Sequence, residues 1–134
     1  MGDLTENMSR YEFACPDRCG SDTVDIEIPF VLEQVRRHFA SIHGKVKVGI
    51  NSGHRCKKHN REVGGAKSSQ HLTGRGCDFV VYRLSSGGEW VAVSAKTVAA
   101  YLRFLYPDKY GIAPYPGRTH FDTKSGAARS WVGK

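Results

Sequence analysis

The chain has 134 residues, 40% apolar and 25% charged, with a formal net charge of +7 and a sequence pI near 9.4. That length is most simply one domain whose core needs no disulfide staples, and no apolar run reaches the ~20 residues of a membrane span. The basic balance favours an anionic partner surface (nucleic acid, a membrane face or an acidic wall polymer) or is a solubilising charge without a specific partner. No basic run is long enough to read as a nucleic-acid arm.

Residues 1–28 are polar and irregular and are expected to wrap the domain. The first residues contain neither a basic n-region nor an apolar h-region, so no secretory signal is read there. The expectation is a protein made in the cytoplasm, with Cys15, Cys19, Cys56 and Cys77 as thiols. Cys15-Pro16-Asp17-Arg18-Cys19 resembles half of a zinc clip, but a matching C-x-x-C or paired His is missing, and Cys56 is the one further sulfur available. A structural metal there is the lesser reading beside buried or idle thiols. Cys77, on an apolar segment, reads as core packing.

Pro29 suits the first turn of a helix. Phe30, Val31, Val35, Phe39 and Ile42 follow at helical spacing, and Gly44 suits the stop. Residues 45–50 alternate, with Val46, Val48 and Ile50 on one face of a strand that ends at Ser52-Gly53. Residues 56–63 predict a short polar helix closed by Gly64-Gly65. Residues 76–82 are nearly continuously apolar and predict a central strand. After the turn at residues 85–88, Ser94 caps a helix carrying Val98, Tyr101, Leu102 and Leu105, ended by Pro107. Short strands follow at residues 110–113 and 118–123. This order predicts an α+β fold, a small mostly antiparallel sheet with helices packed on it, forming one domain over residues 1–134.

The chemistry-bearing residues fall between these elements. His71 precedes the central strand, Asp78 lies near its start, and a loop doubling back over Thr73-Gly74 can bring both to one point. His120 and Asp122, two apart on a strand, share a face. Two histidines and a carboxylate are the donor set of a catalytic zinc with a fourth position for water. Asp122 is then placed either to reach that water or to hold His120. Taken singly, each of these residues also reads as a satisfied core or surface side chain.

Their context carries a resemblance. Ser52-Gly53-His54-Arg55-Cys56, His59-Asn60, Val63-Gly64-Gly65-Ala66, Ser69-x-His71-x-x-Gly74-x-Gly76-x-Asp78 and His120-x-Asp122 occur in that order. Together they resemble the zinc D-alanyl-D-alanine carboxypeptidases, a family that includes D-alanyl-D-alanine dipeptidases and phage L-alanyl-D-glutamate endopeptidases. The resemblance covers about residues 11–132. It implies one zinc per chain on His71, Asp78 and His120, Arg55 and Ser69 as substrate contacts, and hydrolysis of an amide in peptidoglycan stem or crossbridge peptides. Arg55 offers a planar fork for a substrate carboxylate, with a structural salt bridge as the alternative, and Ser69 can donate to a substrate oxygen.

Two positions depart from that family's pattern. Gly76 replaces its usual Ala, and Gly117 stands where many members carry the acidic general base, so Asp122 is the expected base. His54 stands where Tyr is common, as a substrate contact or an exposed residue. Tyr115 and Trp131 either line the cleft or pack in the core. The rival to an enzyme is a wall-binding or virion structural module that keeps fold and metal without turnover. A basic nucleic-acid binder rests on charge alone. The expected partners are peptidoglycan peptides and an anionic wall polymer, with no specific nucleic acid and no membrane span. The protein is expected to be a monomer that acts at the cell wall after release, or within a phage particle.

Overall fold

The computed structural model describes residues 2–16, 19–20, 22–66, 69–124, 126 and 128–133. Three helices pack on one six-stranded sheet, giving the α+β single domain that the element order predicts. Helix α1 spans Glu27–His43, two residues longer at its start than Pro29 suggests. Asp25 supplies the entry, accepting the Glu27 N–H on its carboxylate at 3.1 Å and the Ile28 N–H on its carbonyl at 2.9 Å. The helix ends at Gly44, whose φ of +85° suits glycine.

The apolar stripe of α1 differs from the one read in the sequence. Ile28, Val31, Leu32, Val35 and Phe39 are buried at the i, i+3, i+4, i+7 spacing of a single face. Phe30 lies on the opposite side and Ile42 in the last turn, and both are 59% exposed.

Strands β1 (Val46–Ser52), β2 (Gly76–Leu84), β3 (Trp90–Ala92), β4 (Gly111–Tyr115), β5 (Arg118–Asp122) and β6 (Arg129–Ser130) form the sheet. The order is β1-β2-β5-β4-β6, with β3 paired to the end of β2. Every pairing is antiparallel except β4 with β6. β2 is interior, as its apolar run predicts, and continues two residues past Tyr82 to meet β3. Helix α2 (Lys57–Glu62) is short and polar, and helix α3 (Ala95–Leu105) buries Val98, Ala99 and Leu102.

Alternation along the strands separates core from site. Cys77, Phe79 and Val81 of β2, Phe121 of β5 and Ile112 of β4 join the stripe of α1 and the buried residues of α3 in one core. The intervening residues Asp78, His120 and Asp122 therefore project from the other face. Cys77 is fully buried, as core packing predicts.

The first 28 residues do more than wrap the domain. Arg10–Phe13 form a 3-10 turn, and Met8 and Phe13 are core side chains. The buried Glu33 carboxylate of α1 anchors this segment, accepting from Thr5 Oγ1 at 2.8 Å and from Asn7 N and Nδ2 at 2.6 and 2.9 Å. Burial raises its pKa, but these bonds and the one from Arg36 outweigh that and leave the pKa below the usual carboxylate value. The segment then crosses Gly53, where a Cβ would collide with the Phe13 backbone, and Phe13 O accepts the His54 N–H at 2.7 Å.

Candidate metal centre

Antiparallel register puts Asp78 of β2 directly opposite His120 of β5. A register shift in β1 between Ile50 and Ser52 sets Ser52 opposite Asp78 on the other side. The third residue, His71, comes from a 3-10 turn over Gln70–Thr73. Ser69 caps that turn, its Oγ accepting the His71 N–H at 3.2 Å. Gly74 ends it at φ +73°, and a Cβ there would overlap the Thr23 carbonyl. The chain therefore doubles back over Thr73-Gly74 and brings His71 and Asp78 together.

The protonation pattern of the two imidazoles follows from their outer partners. His71 Nδ1 lies 2.6 Å from Gly53 O. A carbonyl only accepts, so Nδ1 carries a proton, and the other ring nitrogen, Nε2, faces Asp78 Oδ1, 3.4 Å away. His120 Nδ1 is 2.9 Å from the same Oδ1, and its Nε2 is 2.8 Å from Asp122 Oδ2. One donor atom from each of His71, Asp78 and His120 lies within 4.8 Å of the other two.

These donors fit a metal. Two imidazole nitrogens and one carboxylate oxygen suit zinc, whereas calcium and magnesium favour oxygen shells. Ligands ~2.0–2.1 Å from a tetrahedral zinc stand about 3.3–3.4 Å apart, close to the separation of His71 Nε2 and Asp78 Oδ1. His71 is only 2% exposed, and Asp78 is buried too.

Charge is balanced tightly here. Burial raises the Asp78 pKa, but hydrogen bonds from His120 and His71 more than offset it and hold the carboxyl far below its usual range. For His120, burial lowers the pKa, and the carboxylates of Asp122 and Asp78 carry it above 6.5. Asp122 is 1% exposed and has both oxygens engaged. Oδ2 faces His120, while Oδ1 accepts from the Arg129 guanidinium and from Lys124 N–H at 3.2 Å. Burial raises its pKa, and the bonds from His120 and Arg129 bring it below the usual value.

The sequence-selected substrate contacts also meet. Arg55 Nη2 donates to Ser69 Oγ at 3.3 Å. Arg55 Nε is buried and finds no hydrogen-bond partner among the described residues. Tyr115 and Trp131 stand beside the centre: Trp131 Nε1 donates to Tyr115 OH at 2.9 Å, and the Trp131 ring centroid is 5.3 Å from that of His120.

His54 is half-buried rather than simply exposed, and both its ring nitrogens have partners within the protein. Its Nδ1 accepts from Thr23 N–H at 3.0 Å and its Nε2 donates to Leu72 O at 3.1 Å, bolting the N-terminal segment to the His71 turn. Two arginines escaped the sequence reading. Arg118 Nε is 3.5 Å from Asp78 Oδ2, with its guanidinium 4.5 Å above the Tyr115 ring. The alternation Arg118-x-His120-x-Asp122 was its signal. Arg129 lies on a two-residue strand that no periodicity announces. A cleft of about 530 Å³ opens beside Arg118 and Tyr115, bounded also by Val80, Ser94 and Pro116. It continues the site without including the three donors.

Among the described residues, no helix is long and apolar enough to cross a membrane. No curated protein matches the chain. The family model described as Peptidase M15 matches residues 6–122, a stretch that runs from the Glu33-anchored segment through His71 and Asp78 to His120 and Asp122. With that match over most of its length, the chain belongs to the Peptidase M15 family, a family of peptidases.

Proposed function

We propose that the protein is a zinc-dependent peptidase that hydrolyses an amide bond in peptidoglycan stem or crossbridge peptides, as an endopeptidase or a D,D-carboxypeptidase. The observation that carries this reading is the convergence of His71 Nε2, Asp78 Oδ1 and His120 Nδ1 in a peptidase family member. When bound, zinc supplies a Lewis acid that polarises a carbonyl and lowers the pKa of water to ~7.

The chain's own residues supply the rest. Gly53 O keeps the proton on His71 Nδ1, and Asp122 keeps the proton on His120 Nε2, so each ring offers its other nitrogen to the metal. Asp122 therefore acts here by holding His120. The general-base role expected of it is the less favoured one, because its oxygens already accept from His120, Arg129 and Lys124. Arg55 receives a substrate carboxylate: its buried, unpartnered Nε and its desolvation both favour an anionic ligand. Ser69, already oriented by Arg55, contacts a substrate oxygen. The +7 charge draws the protein to the anionic wall polymer. The protein works as a monomer at the wall, after release or within a phage particle.

A second reading is a wall-binding or virion module without turnover. It is favoured by Gly117, which carries no side chain where an acid is expected, and by the engagement of Asp122. Zinc-loaded protein incubated with purified peptidoglycan decides between them. The enzyme releases new amino groups, stops on chelation and resumes with added zinc. Binding to peptidoglycan without any release of amino groups would establish the second reading.

A further inference from the structure

A second group of metal-capable side chains lies apart from the His71 centre. The Sγ atoms of Cys15, Cys19 and Cys56 lie within 4.8 Å of one another, and no disulfide joins them. We propose that these three sulfurs bind a second zinc ion, which staples the N-terminal segment to the start of α2.

The spacing of the sulfurs is the first argument. Cys15 Sγ and Cys56 Sγ are 3.8 Å apart. A tetrahedral zinc with Zn–S of ~2.3 Å separates its thiolates by about 3.8 Å, whereas a disulfide closes that distance to ~2.05 Å. The Cys15–Cys56 pair has the separation of two thiolates on one zinc, and Cys19 Sγ lies within 4.8 Å of both. Thiolates also select zinc over the hard cations magnesium and calcium.

Placement is the second argument. Cys15 is buried just after the 3-10 turn that inserts Phe13 into the core, and Cys56 caps α2, its Sγ accepting the His59 N–H at 3.5 Å. An N–H donated to a ligating sulfur is a typical outer partner of a metal thiolate. Cys19 is exposed, which gives an ion its entry. The fold thus joins the 15–19 half-clip to a third sulfur that lies far along the chain.

The location gives the staple a purpose. Cys56 follows Arg55 directly, and residues 53–54 already meet Phe13 through the Gly53 approach and the His54 N–H. Metal at the cysteines closes that contact from its other end and fixes the backbone carrying Arg55. Removing it leaves the His71 donors untouched and loosens the N-terminal segment.

Cobalt(II) substitution tests this without any activity measurement. In reduced, cobalt-loaded protein, sulfur-to-cobalt charge transfer in the near ultraviolet is expected in the wild type and at undiminished strength in His71→Ala. It is expected to weaken or vanish in Cys19→Ser, at an exposed position that leaves the core intact, and in Cys56→Ser. Zinc analysis should read about two ions per chain in the wild type and about one in either His71→Ala or Cys19→Ser. Absence of the charge-transfer band in wild-type protein overturns the proposal. So does a Cys15–Cys56 disulfide, seen as a mass lower by two hydrogens in protein purified without reductant. Because the band reports sulfur alone, its failure is separate from any failure of the peptidase centre.

Discussion

Asn at position 122 separates two jobs for one carboxylate. Asp122 accepts from His120 Nε2 at 2.8 Å while buried and paired with Arg129. Asp122→Asn keeps the shape and removes the charge that fixes the His120 proton on Nε2 and raises the ring's basicity. Loss of such an outer partner typically lowers metal affinity 10–100-fold, which is ~1.4–2.7 kcal/mol. Arg129 also loses its partner, but its side chain is 36% exposed, so solvent limits that cost to about 1 kcal/mol or less. The assay is competition for zinc against a chelator of known affinity, run beside turnover at saturating zinc. We expect weakened zinc binding and a largely restored rate once zinc saturates. Unchanged zinc affinity with turnover reduced ~100-fold or more would refute this reasoning and make Asp122 the base.

Other outcomes follow from the same geometry. In metal-free protein His120 has a pKa raised above its unfolded value of 6.5, so its contribution to stability is present below about pH 6.5 and lost as pH rises through the raised value. Zinc must displace that proton, so zinc affinity should rise from pH 6 to pH 8; a flat profile in chelator competition would contradict the raised pKa. Arg55→Lys removes the planar fork and should lower kcat/KM about 10–100-fold through KM, with zinc content unchanged; an unaltered KM for a carboxylate-bearing peptide would remove Arg55 from substrate binding. Gly74→Ala places a side chain at φ +73° against the Thr23 carbonyl, so a loss of roughly 2 kcal/mol or more is expected in urea denaturation. An unshifted midpoint would show that the turn tolerates a Cβ.

The sequence was most informative where periodicity was long. Helices α1 and α3 and strand β2 could be read from spacing because each buries one face or two over many residues. Strands β3 and β6 have three and two residues, too few for any period to register. Phe30 misled because apolar spacing alone does not say which of two stripes meets the sheet. Ile28 and Leu32 outweigh it once the sheet is in place.

In the site, His71, Asp78 and His120 could be located from motif order, since a Gly74 turn and an antiparallel pair are local and register-determined. The partners of Asp122 were not legible. Arg129 reaches it through a parallel β4–β6 pairing, and the burial that engages both of its oxygens comes from tertiary packing. The roles of His54 likewise depend on Thr23 and Leu72, each far from it in sequence.

The proposed reaction is the cutting of a peptidoglycan amide through a metal held by His71, Asp78 and His120. Mass spectrometry of muropeptides after digestion with zinc-loaded wild-type protein, beside His71→Ala, tests it most directly. One class of new fragment is expected, each differing from its parent by hydrolysis of a single peptide bond, absent with His71→Ala and with chelator. Muropeptides left intact by zinc-loaded wild type, or the same fragments produced by His71→Ala, would contradict it.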